Sequence, residues 1–163
     1  MRLILTLAFI ALPSLAMALS CLSPNAAREL NFALERNQEV TIVKGTLVPP
    51  SGSLKRRAFE DVSAVYKLLG ARLMAYGDDQ TFIGKVTVTS GCILDQWCGQ
   101  IVNKPTKAVF ILRNAADGQH RMNLSPCPSA IYPDYGANEE RILRNCLARG
   151  RCTERDIEQL DRR

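Results

Sequence analysis

The sequence predicts a mainly β domain with terminal helices (α+β), built as a small five-stranded antiparallel barrel and stapled by disulfides. Three features predict it. About five strand-like segments follow one another in meander order, helical patterns are confined to the two ends, and all six cysteines fall after an apolar leader. A closed barrel also removes the exposed edges of so short a sheet.

The chain opens "MRLILTLAFIALPSLAMALSC", with Arg2 ahead of an apolar run from Leu3 to Leu12 and small residues after it. This pattern is a secretory signal peptide over residues 1–20, too short and too abruptly ended for a membrane span. Ala16 and Ala18 form the A-x-A pair that gives a mature Leu19, while cleavage after Ser20 makes Cys21 the first residue. A lipoprotein signal at Ser20-Cys21 is a third reading, which Ala18 and Leu19 fit poorly. The remaining roughly 143 to 145 residues, taken as 21–163, make one domain. No second apolar span follows, so a soluble, secreted or periplasmic protein is expected, of bacterial type from its short leader. The formal charge of +5 falls to about +4 when Arg2 leaves, a mild basic balance that favours anionic surfaces without naming one.

Along the chain, Ser23 and Pro24 read as cap and first turn of a helix running to about Arg36, with Ala27, Leu30 and Leu34 at helical spacing. "EVTIVKGTLVPP" alternates and is β-branched: a strand ended by Pro49-Pro50. "SGSLKRR" is a basic loop. "FEDVSAVYKLLGARLMAYGDD" is ambiguous, helical in its first half and strand-like over "LLGARLMAYG" up to Gly77-Asp78-Asp79. "TFIGKVTVTSGC" is the firmest strand, through Ile83, Val86 and Val88. "KAVFILRNAADGQHRMNLSPC" reads as a hairpin around Asp117-Gly118. A proline- and tyrosine-rich turn leads to a helix capped by Asn138, carrying Glu139 and Glu140 in its first turn and ending at Gly150. Thr153 caps a last short helix with Ile157 and Leu160.

Cys21, Cys92, Cys98, Cys127, Cys146 and Cys152 form an even set that reads as three disulfides in an oxidising compartment, with 15 possible pairings. Trp97-Cys98-Gly99 opens like a thioredoxin-type centre, yet Ile101 stands where the resolving cysteine belongs, so the spacing favours a structural bridge with Trp97 packed beside it. Catalytic motifs are thin. His120, the sole histidine, lies beside a hairpin turn and reads as a solvated surface residue; no acid cluster joins it for zinc, and no Gly-x-Ser-x-Gly elbow occurs. Asp78-Asp79 and Glu139-Glu140 suit turn and helix-start chemistry. The expectation is therefore no enzyme, no cofactor and no metal. Lys55, Arg56 and Arg57 are the candidate anion contact, set against the plainer reading of a solvated loop.

Cys98-Gly99, the "AVFILRNAADGQHRMNL" hairpin, Cys127 and the following helix, with Cys21, Pro24 and "NAARELNFALER" ahead, resemble the netrin-like domains and, within them, the tissue inhibitors of metalloproteinases. The resemblance reaches to about Leu147 and implies an OB-like barrel. It implies a Cys21–Cys98 bridge, leaving Cys92–Cys127 beside a local Cys146–Cys152 staple; Cys21–Cys127 with Cys92–Cys98 is the rival pairing. It also implies an inhibitory edge at Cys21 and Leu22, where a free Cys21 amine clamps a protease zinc and Leu22 enters the specificity pocket. The inhibitors begin Cys-x-Cys, whereas this chain has Cys21-Leu22-Ser23 and so lacks the second cysteine of that opening.

Function is expected to be binding by a monomer: an extracytoplasmic protein partner first, then inhibition of a zinc protease, then nucleic acid or an anionic glycan. Nucleic acid is disfavoured because only five Phe, four Tyr and one Trp could supply stacking surfaces, and export takes the chain from the cytosol.

Overall fold

The computed structural model describes residues 21, 24–57, 59–94, 97–127, 130–133 and 135–161; the expected leader, Leu22 and Ser23 lie outside them. Helix α1 (Ala26–Glu35) precedes β1 (Val40–Val48), β2 (Val62–Arg72) and β3 (Gln80–Ser90). A small hairpin of β4 (Cys92–Leu94) and β5 (Trp97–Cys98) leads to β6 (Thr106–Asn114), β7 (His120–Leu124) and the short β8 (Ile131–Tyr132). Helices α2 (Ala137–Arg149) and α3 (Glu154–Asp161) follow.

Five long strands close in the order β1-β2-β3-β7-β6, with β6 returning to β1. The OB-like barrel is therefore present, but its sheet is mixed rather than antiparallel, because β3 and β7 run parallel from Val86↔His120 to Ser90↔Leu124. Parity requires this correction. Strand directions can alternate all the way round a closed ring only when the number of strands is even, so a ring of five must contain a parallel pair. The β4–β5 hairpin, residues 100–105 and β6 together make the long connection that such a pair needs.

Strand β1 pairs with β2 through Val43–Val48 and with β6 through Val40–Leu47, so it serves both halves of the ring. Gly45 faces Gly70 across the β1–β2 ladder, and a Cβ on Gly45 would stand 2.1 Å from the Leu69 carbonyl oxygen. A Cβ on Gly70 would likewise meet the Lys44 carbonyl at 2.2 Å. The two glycines let the strands press together where the barrel bends.

Two cores result. Inside the barrel pack Val43, Leu47, Leu68, Val86, Phe110, Leu112 and Met122. On its outside, Ile42, Val109 and Ile111 meet Leu30, Ile142, Leu143 and Leu160 of the three helices. Strands β1 and β6 are thus buried on both faces, which is why "AVFIL" in β6 reads as a continuous apolar run. Strands β2 and β3 are covered on one face only and alternate.

Several expected boundaries move. The segment from Val62 to Arg72 is one strand with no helical half, since every residue of it pairs with β3 and its even-numbered side chains supply barrel interior. Asn25, not Ser23, caps α1, its side chain accepting the Arg28 N–H at 3.0 Å. Gly136, not Asn138, starts α2, because the Glu139 carboxylate reaches back to accept the Gly136 N–H at 2.7 Å. The hairpin turn, the Gly150 cap and the Thr153 start of α3 lie where expected: Gly118 has φ 75°, Gly150 has φ 68°, and Thr153 N–H donates to Asp156 at 2.8 Å.

Helix α2 is tied to the β2–β3 turn by Arg144, which donates to the Met74 carbonyl, Asp79 and Glu140 at 2.8, 2.7 and 2.8 Å. The Arg144 hydrogen bond holds the Glu140 carboxyl below the usual carboxylate range, against some burial, and Lys44 assists. A depressed folded-state pKa contributes stability that is present above the unfolded value of about 4.3 and lost as pH falls through the folded one. Glu140→Gln therefore lowers stability at neutral pH and flattens the acid limb below about pH 4, measured by urea midpoints across pH. Gly45→Ala or Gly70→Ala, by forcing β1 and β2 apart, costs about 3 kcal/mol in the same assay at neutral pH.

Candidate functional site

The helices cover the β1–β6 side of the barrel, and among the described residues no helix covers the opposite side. On β2, β3 and β7 the odd-numbered residues point outward. Register sets them in rows: Ser63 beside Thr89 and Asn123, Val65 beside Thr87 and Arg121, Lys67 beside Lys85, and Leu69 beside Ile83. The Ser63 and Thr89 hydroxyls bond at 3.1 Å. Arg121 is neutralised by Asp117 at 2.8 Å. Lys67 and Lys85 are different: they lie directly opposite each other, and neither has an ion-pair partner among the described residues. Like charges facing across a ladder destabilise it.

Apolar side chains stand beside these lysines in solvent, Val65 at 52% and Ile83 at 70% exposure. With Val48, Pro49 and Pro50 they line a shallow depression of about 500 Å³. The arrangement can grip an elongated ligand that carries negative charge beside apolar groups. His120 lies on the same sheet but faces the barrel side. It is half-buried rather than a solvated surface residue, with Nδ1 2.8 Å from Asn114 Oδ1 and its ring 5.1 Å from Phe82. Burial, with the nearby Arg72 charge, pushes its pKa down.

A second concavity, a groove of about 770 Å³, is lined by Pro24, Cys98, Ile101, Val102, Leu124 and Pro126 among others. Its floor is held by two contacts. Tyr66 donates its hydroxyl hydrogen to the Val102 carbonyl at 2.9 Å, and Asn103 bonds both backbone groups of Leu54, at 2.9 and 3.1 Å.

The disulfides are Cys21–Cys127, Cys92–Cys98 and Cys146–Cys152. The pairing implied by the netrin-like resemblance is thus replaced by its rival. Cys92 and Cys98 are opposite partners in the β4–β5 ladder with Cα atoms 3.9 Å apart, so they meet locally and leave Cys127 for Cys21. The inhibitory edge loses its expected setting, since Cys21 is bound to Cys127, and Leu22 lies outside the described residues. Closing a loop of 106 residues is worth about 4.7 kcal/mol in the chain-entropy account.

The basic triplet is not one patch. Lys55 and Arg57 are exposed, whereas Arg56 turns inward and donates to Glu60 O at 3.2 Å, Ser90 Oγ at 2.7 Å and Gly99 O at 2.8 Å. Its Nη1 also stands 2.6 Å from Cys92 Sγ. Three acceptors and a sulfur surround its guanidinium, which leaves it little to offer an external anion. Sequence reasoning missed Lys67 and Lys85. Their signal was present: two alternating strands about a Gly77-Asp78-Asp79 turn place Lys67 opposite Lys85 once the first is read as a strand.

Compared with known proteins, the chain matches no family, no curated protein and no solved structure. Among the described residues no helix is long and apolar enough to cross a membrane, and no group of three or more His, Cys, Asp or Glu is placed to hold a metal.

Because the Tyr66 hydroxyl is the buried link between the barrel wall and the groove segment, Tyr66→Phe costs about 1 kcal/mol. Hydrogen exchange then accelerates across Gln100–Lys104 while the β2–β3 ladder keeps its protection.

Proposed function

We propose that this chain is an exported, disulfide-stapled binding domain whose ligand is an acidic, partly apolar segment of an extracytoplasmic protein, docked on the bare face of β2 and β3. The observation that carries the reading is the unpaired Lys67–Lys85 row flanked by Val65 and Ile83. Opposed lysines cost the fold stability that a Lys–Glu pair would return, and an arriving carboxylate satisfies both at once. The neighbouring apolar side chains bury area that a purely polyanionic ligand would leave exposed. Three disulfides suit an oxidising compartment.

Zinc-protease inhibition through the Cys21 amine is the weaker reading, because the Cys21–Cys127 bridge is not the pairing on which that apparatus rests. Nucleic acid fares no better: among the aromatic residues, none stands in the outward rows of β2, β3 and β7.

Fluorescence anisotropy with a labelled peptide of alternating Glu and Leu, run beside polyglutamate, heparin and a single-stranded oligonucleotide, tests the proposal. The alternating peptide should bind tightest, with affinity falling as salt rises. Lys67→Glu should weaken it about tenfold or more. The same substitution should stabilise the fold by about 0.5 kcal/mol, because the introduced carboxylate pairs with Lys85 across the ladder. Equal binding of heparin or the oligonucleotide would move the ligand class to a polyanion. Binding indifferent to Lys67→Glu would remove this face as the site.

A further inference from the structure

The Cys92–Cys98 disulfide differs from the other two in its surroundings. Cys146 and Cys152 are buried in the helical core, at 0% and 6% exposure. Cys21–Cys127 closes a loop of 106 residues, so its reduction releases a large chain-entropy constraint. Cys92–Cys98 spans six residues, both its cysteines are partly exposed, and Cys98 lines the groove. A guanidinium is aimed at one of its sulfurs, with Arg56 Nη1 2.6 Å from Cys92 Sγ. That guanidinium is fixed in place by Ser90, Gly99 and Glu60. Ser90 Oγ in turn donates to the Gly99 carbonyl at 2.7 Å, and a Cβ on Gly99 would stand 2.0 Å from the Leu124 carbonyl oxygen, so the junction is tightly built.

A permanent cation beside a sulfur favours its thiolate and makes that sulfur the better leaving group. We propose that Cys92–Cys98 is a thiol–disulfide exchange site that accepts two electrons from an external dithiol. A thiolate entering from the groove attacks Cys98 Sγ and forms a new S–S bond. The Cys92–Cys98 bond breaks, and its electron pair leaves on Cys92 Sγ as a thiolate held by Arg56. The second thiolate of the external dithiol then attacks its own sulfur in the mixed disulfide and releases Cys98 as a thiolate. The dithiol becomes a disulfide, and Cys92 and Cys98 take up protons from solvent as their pKa values dictate. The absence of a Cys-x-x-Cys motif is no obstacle, because a cross-strand pair and an arginine here do what a helix N-terminus does in that motif. This site is separate from the lysine face and does not depend on the ligand proposed for it.

The test titrates the non-reduced, full mature protein with dithiothreitol, quenches with N-ethylmaleimide and locates the labels by mass spectrometry. Cys92 and Cys98 should be labelled at reductant concentrations that leave Cys21–Cys127 and Cys146–Cys152 intact. Brief exposure to glutathione should trap the mixed disulfide on Cys98 rather than Cys92. Arg56→Gln should slow the reaction about threefold to tenfold, while Ser90→Ala, which keeps the charge, should stay within about twofold of the parent rate. In the Cys98→Ser variant the Cys92 thiol should titrate, by thiolate absorbance near 240 nm, at least about one unit below the ordinary value of about 8.5. That readout stands even if Arg56→Gln fails to fold. Simultaneous labelling of all six cysteines, glutathione on Cys92, an unchanged or faster Arg56→Gln, or an ordinary Cys92 titration would each overturn the proposal.

Discussion

Strand β1 bears the closure of this molecule, because it alone gives hydrogen bonds to β2 on one edge and to the long strand β6 on the other. A strand paired on both edges from Val43 to Leu47 must bend, and side chains at the bend would hold its neighbours away. Gly45 against Gly70 resolves the conflict by leaving no side chain between the two backbones. Once β1 is closed, the remaining arrangement follows in sequence. With the other four pairs antiparallel, the odd ring leaves β3 and β7 parallel, and the connection between them carries the β4–β5 hairpin, the segment that lines the groove and β6.

The same closure decides which surface is free. Three helices flank the strands in the chain, at its two ends, and a common apolar layer forms where they meet β1 and β6. Those two strands are apolar on both faces and demand cover. Strands β2 and β3 alternate and do not, so their outer rows remain open to solvent with Lys67 and Lys85 in opposition. A fold that keeps two unpaired lysines opposite each other gives up some stability at that point.

Arg56 shows how a charged side chain in a basic loop can belong to the interior of a structure. Its neighbours Lys55 and Arg57 are solvated, yet Arg56 satisfies two carbonyls and a hydroxyl and lies on a disulfide sulfur. The loop between β1 and β2 is thereby fastened to the β4–β5 hairpin, whose Cys98 lines the groove. Charge in a run of basic residues is legible in a sequence, but two of the three acceptors that claim one member of it come from residues 34 and 43 positions away.

Local rules were enough for much of this protein. Alternation and β-branching placed β1 and β3, Asp117-Gly118 placed the β6–β7 turn, and Gly150 and Thr153 placed helix ends, because each of these is decided by residues within a few positions. The six-residue spacing that marked Cys146 and Cys152 as a staple applied equally to Cys92 and Cys98, and only the resemblance-based pairing turned it aside. The tertiary structure alone decided the rest. Val62–Arg72 became one strand because β3 pairs with its whole length, overriding a helical pattern in its first half. The parallel pair came from the geometry of an odd ring, the Asn25 cap from contacts with Ile157 and Asp161 more than 130 residues away, and the opposed lysines from ladder register. Spacing along a chain fixes what neighbours can do; which distant groups become neighbours is settled only when the barrel closes.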